Sequence, residues 1–192
     1  MDNNRAELRF LREKRIKVPS WLQDVFLIRE SSLEWHLYDD PNMALQTIKK
    51  VCNKCSVYYQ SQKGLYLQQL GHLEDAAWCY EYVKKHLQQI SENRRGCHFR
   101  YHKRMALLMN SLANLESVPM WVFHKYGIRT HEELMHAACF HANRSKEKVS
   151  DVGKEGLEKA TKTAEWFSGQ LKLLARNEGY KTRKTKPVFS RF

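Results

Sequence analysis

The chain has 192 residues, 42% of them hydrophobic, enough to bury one substantial core without the help of disulfides. Its 33 Lys and Arg against 21 Asp and Glu give a formal charge of +12, a field that disfavours cationic partners and attracts polyanions, nucleic acid foremost. No apolar run approaches the ~18 residues of a membrane span, and Met1 to Arg5 lead into a charged helix, so the expectation is a cytoplasmic protein without a membrane partner, its five cysteines free thiols.

Apolar residues recur at helical spacing almost throughout, which predicts an all-α fold. A first helix is expected over residues 4–15, ended by Val18-Pro19, because proline disfavours helix in its predecessor. Ser20 then caps a short helix through Trp21, Leu22, Val25, Phe26 and Ile28. Asp39-Asp40-Pro41 places proline at the first turn of a helix from about 42 to 60, through Met43, Ala44, Ile48, Val51, Cys55 and Tyr58, with an interruption at Lys63-Gly64.

Gly71 separates two helices of a hairpin, and small Ala76 and Ala77 let the second, residues 73–90, approach the first. Residues 92–115 form another helix with Met105, Leu108, Leu112 and Leu115 as its apolar stripe. Pro119 starts a helix that Gly127 ends, and Thr130 with Glu133 makes a capping box for residues 131–144. The last helix, 146–177, carries Leu157, Ala160, Ala164, Phe167, Leu171 and Leu174 on one face. The whole reads as a compact multi-helix bundle with a helical hairpin and a long C-terminal amphipathic helix. Residues 1–177 form a single all-helical domain and residues 178–192 a basic arm.

Two places invite a metal. Cys52-x-x-Cys55 has the spacing of half a zinc site, but the pair falls within the expected helix and reads as ordinary buried thiols. In His131-Glu132-Glu133-Leu134-Met135-His136 the two histidines stand five apart, so they cannot stack on one helix face as a metalloprotease pair does. His136 and Cys139, three apart, could meet. Neither place is assigned a metal. No nucleophile elbow, phosphate-cradling glycine loop or dinucleotide fingerprint occurs, so no catalytic residue and no cofactor is assigned and an enzyme is not expected.

The basic segment after Asn93 carries more. From Arg94 to Leu115 there is no acidic residue, and residues 97–192 hold +9 of the net charge against +3 for the first 96. Arg94, Arg95, His98, Arg100, Lys103 and Arg104 could straddle a phosphate backbone, with Tyr101 among them as a stacking plane for a base. Lys181, Arg183, Lys184 and Lys186 of the arm would add auxiliary contacts.

Tyr66-Leu67, Gly71, Ala76-Ala77 and Tyr80, continued by Arg94-Arg95-x-Cys97, resemble the short module of the PerC family of enterobacterial transcriptional activators, over about residues 58–104. Leu73, Glu74 and Asp75 stand where that family tends to carry an aromatic and arginines. The same residues also resemble one tetratricopeptide-type hairpin. The resemblance implies a regulator of transcription that contacts DNA. The function expected is that of a basic helical regulatory protein of bacterial or phage origin that binds nucleic acid, DNA above all, in transcription or replication control. The alternative is a protein-protein interaction module, an adaptor or phage-encoded inhibitor of a host protein, docking through the hairpin and exposed aromatics, since Trp78, Tyr80 and Tyr82 cannot all face inward on one helix.

Overall fold

The computed structural model describes residues 2–87, 95–147 and 153–175, and among these the secondary structure is helical throughout, with no strand. The helices are α1 (Asp2–Arg15), α2 (Ser20–Tyr38), α3 (Pro41–Ile48), α4 (Val57–Gln69), α5 (Leu73–Leu87), α6 (Arg95–Ala113), α7 (Met120–Tyr126), α8 (His131–Glu147) and α9 (Gly153–Ala175). The all-α expectation holds. Two compact units are built from them, the first from residues up to Tyr82 and the second from Val83 onward, the boundary falling within α5. No described helix is long and apolar enough to cross a membrane.

In the first unit α1 lies along α2, its Leu8 and Leu11 packed on Leu33 with Phe26 and Leu37 at the margin. At the edge of that contact Arg12 reaches Glu30 Oε1 at 3.1 Å and Glu34 Oε1 at 2.8 Å, and Arg29 forks onto both carboxylate oxygens of Glu7. Ser20 is the first helical residue and Pro19 the cap, with no side-chain hydrogen bond, so the expected serine cap is replaced by a proline start. The helix also runs ten residues past Ile28, to Tyr38. It stops at Asp39, which takes the left-handed conformation (φ 52°) and donates its amide to Trp35 O.

Asp40 then caps α3, its Oδ1 accepting from Asn42 N at 2.8 Å and Met43 N at 3.1 Å, with Pro41 behind it as expected. The expected helix over 42–60 is two helices. The first stops at Ile48 and the second starts at Val57, so Cys52 and Cys55 lie in the connecting loop and are exposed rather than buried in a helix. Position 64 likewise interrupts nothing, since Gly64 sits inside α4. The hairpin α4–α5 turns at Gly71 (φ 83°), and Ala76, Ala77, Tyr66 and Tyr80 are wholly buried. Tyr66 donates to Ser31 Oγ and Tyr80 to Gln68 Oε1, satisfying both hydroxyls inside the core.

In the second unit α8 packs against both α6 and α9. Its core is Met105, Leu108, Met109 and Leu112 of α6, Leu134 and Met135 of α8, and Phe167 of α9, all essentially inaccessible. Leu115, expected on the α6 stripe, lies beyond the end of that helix and is exposed. Pro119 and Gly127 (φ 72°) bound α7 as expected. The capping box forms too: Glu133 N donates to Thr130 Oγ1 at 3.1 Å, while Glu133 Oε2 accepts from the amides of Thr130 and Arg129. Those two amides hold the Glu133 carboxyl below its ordinary range. On α9 Ala160, Ala164 and Phe167 are buried, whereas Leu157 is exposed.

Candidate nucleic-acid interface

Helix α6 carries two different faces of the second unit. Met105, Leu108 and Leu112 turn into the core, and the same periodicity sets Arg100, Lys103 and Arg104, at i, i+3 and i+4, side by side on the other flank. Phe99 packs on Ala160 of α9, and that contact brings Lys159, one residue earlier on α9, to the same flank. Arg100 is exposed, while Lys103, Arg104 and Lys159 are half-buried.

The consequence is a concentration of positive charge at a partly dry place. Burial first, then Arg104, Lys159 and Arg100, push the Lys103 ammonium down to about 8. Both causes favour the neutral amine, one by withholding water and the other by like-charge repulsion. Even so, the group remains largely protonated at neutral pH, so four cations share this flank. Cations gathered on one flank make a positive field that attracts anions. Lys159 had no signal in the sequence, because its place beside Lys103 depends on how α9 crosses α6.

The other expected contacts divide as follows. His98 lies half-buried on the first turns of α6. Arg95 opens that helix. Arg94 and the arm residues Lys181, Arg183, Lys184 and Lys186 lie outside the described residues, as do the arm itself and the side chain of Arg95. Tyr101 is placed otherwise than expected. It is only 5% exposed, its ring edge-on to His102 at 5.1 Å and to His141 at 6.0 Å, so a base finds no face of it to stack on. The reason is the helix period, which turns position 101 toward α8 while 100 and 104 turn away.

Behind Tyr101 stands a pair with no sequence signal at all. His102 Nδ1 and His141 Nδ1 lie 2.9 Å apart, one ring nitrogen donating to the other, across 39 residues of chain. Burial, then His102, then Lys84, push His141 down to about 4, so it is neutral at physiological pH. His136 and Cys139 do not meet as their spacing allowed: His136 lies 3.8 Å from Glu132, and Cys139 faces Ser168 Oγ and Asn143 at 3.6 Å. Among the described residues no group of three or more His, Cys, Asp or Glu is placed to hold a metal ion. Comparison of the chain with protein-family models, with curated proteins and with solved structures finds no match.

Proposed function

We propose that this protein binds nucleic acid through the flank of α6 that carries Arg100, Lys103 and Arg104, joined by Lys159 of α9, and that it acts as a regulator in transcription or replication. The observation that carries the reading is the half-buried Lys103, held among three further cations in a chain of net charge +12. Clustered charge of one sign at a partly desolvated place is how a phosphate-binding surface is prepared in advance. No exposed aromatic ring belongs to that cluster among the described residues, so the binding proposed is to the backbone and reads little sequence. The PerC-like spacing of residues 66–80 points the same way, toward a DNA-binding regulator.

Fluorescence anisotropy with labelled duplex DNA and RNA tests this. Affinity should fall steeply with salt, and Arg100→Ala with Arg104→Ala should weaken every sequence about equally while lowering the salt slope by ~1 for each phosphate no longer neutralised. A binding curve that is flat from low to moderate salt overturns the reading.

One observation favours the second reading, a protein-interaction module. Trp78 on α5 is 63% exposed while Tyr80, two residues on, is fully buried, so the hairpin presents a large aromatic outward. Copurification with one protein after nuclease treatment, abolished in Trp78→Ala, would support it. Nucleic acid carried through purification, seen in the absorbance at 260 nm, would favour the first reading.

A further inference from the structure

Cysteine is among the residues most often buried, and the first unit shows both habits. Cys79 is buried in the α4–α5 hairpin, whereas Cys52 and Cys55 are both exposed on the loop between α3 and α4. That loop is not loosely held. Asp24 of α2 accepts Cys52 N on Oδ1 and Asn53 N on Oδ2, each at 2.8 Å. Asn53 Oδ1 accepts Cys55 N at 3.2 Å, Gln60 Nε2 donates to Lys54 O at 2.7 Å, and Tyr82 Oη donates to Cys55 O at 2.8 Å. Lys54 N closes a tight turn onto Cys52 O at 3.0 Å. Five side-chain hydrogen bonds from four residues thus fix the backbone of a four-residue segment while both of its thiols are left at the surface.

Two exposed thiols with two residues between them on a fixed turn have the spacing that a bidentate soft-metal chelate uses. A closed zinc site needs four ligands, and among the described residues no third His, Cys, Asp or Glu stands with these two. A second copy of the chain would supply the missing pair by symmetry, with the metal on the two-fold axis. The charges fit. Zn2+ with four thiolates carries a net charge of −2, and each loop bears exposed Lys49, Lys50 and Lys54 around the pair. Without the metal the two lysine-rich loops repel each other, so association through this face depends on it.

We propose that Cys52 and Cys55 are half of a zinc site, completed by the same two residues of a second copy, so that one Zn2+ joins two chains through four thiolates. The four thiols each lose a proton on binding, and Zn2+ forms four Zn–S bonds without any redox change. Asp24 acts as a positioning residue, holding the turn in which the two sulfurs stand.

Zinc titration of the reduced full-length chain, followed by native mass spectrometry and by proton release, decides the matter. Expected are one zinc per two chains, a monomer-to-dimer step that a chelator reverses, and the visible bands of tetrahedral tetrathiolate cobalt when Co2+ replaces zinc. Cys52→Ser or Cys55→Ser should abolish all three with the helical circular dichroism unchanged, and Cys139→Ser should alter none. Asp24→Ala should weaken zinc binding about tenfold while leaving the stoichiometry. One zinc per monomer, no zinc bound by the reduced protein, or a dimer indifferent to both chelator and Cys52→Ser would overturn the proposal.

Discussion

Gly64 on α4 faces Tyr80 on α5 so closely that a β-carbon at position 64 would stand 2.6 Å from Tyr80 Cε1 and 3.0 Å from Cys79 Cβ. Tyr80 cannot swing aside, because it is fully buried and its hydroxyl is committed to Gln68. Gly64→Ala would gain up to ~1 kcal/mol in helix propensity and lose up to ~3 kcal/mol by overpacking, a net cost of about 1–2 kcal/mol. Urea denaturation should show a lowered midpoint with little change in slope. A variant as stable as wild type would mean that α4 and α5 can slide apart.

Lys103 sets stability against binding. Its ammonium is protonated in the unfolded chain up to ~10.4, but in the folded chain only up to about 8. Between those values the unfolded state holds the extra proton, so the lysine's penalty shrinks as pH rises through 8. Lys103→Met should therefore stabilise the protein at pH 7 by ~1–2 kcal/mol and gain less from pH 7 to 9 than wild type does. The same variant should bind nucleic acid more weakly. Thermal melts at the two pH values, with anisotropy alongside, check all three.

His141 works in the acid range. Its folded value, about 4, lies below the ordinary ~6.5, because burial, His102 and Lys84 all oppose the charged ring. Acidification protonates the unfolded chain first, so stability present above pH 6.5 is lost as pH falls toward 4, by about 1–2 kcal/mol between pH 7 and 5. In His141→Gln, which keeps a polar partner for His102, the loss over that interval should be smaller by that amount. Equal losses in the two proteins would show that this pair does not titrate with folding.

Arg12 stands between two carboxylates that are themselves almost inaccessible, Glu30 at 5% and Glu34 at 3% side-chain exposure. Glu34 Oε2 has no further hydrogen-bond partner, so its Oε1 bond to Arg12 carries that group. Arg12→Met should cost about 2–3 kcal/mol, toward the lower end because the guanidinium is half exposed. Adding Glu34→Met should recover part of the loss, and a double-mutant cycle measures the coupling.

What the sequence made legible was whatever is decided within a few residues. Pro41, Gly71, Gly127 and the Thr130–Glu133 box each act through the backbone next to them, and each stands where it was expected. Gly64 has the local signature of a break, yet its role is tertiary, a close approach rather than a turn. The apolar spacing of Val51, Cys55 and Tyr58 carried a helix across residues that Asp24, 28 positions from Cys52, holds in a loop. Of the candidate interface, only the shared flank of Arg100, Lys103 and Arg104 follows from helical period alone. Tyr101 on the same helix lies on the buried side, and the places of Lys159 and the His102–His141 pair depend on how α8 and α9 cross α6.

The grip of Asp24 on the α3–α4 loop separates two properties that usually travel together. Cys52 and Asn53 are exposed to water, yet each backbone N–H donates to a carboxylate oxygen of Asp24, N to O 2.8 Å. Their exchange with deuterated solvent is therefore governed by how often α2 and the loop part, not by how wet the residues are. The two should exchange as a pair with a single slow rate, and Asp24→Ala should release both at once.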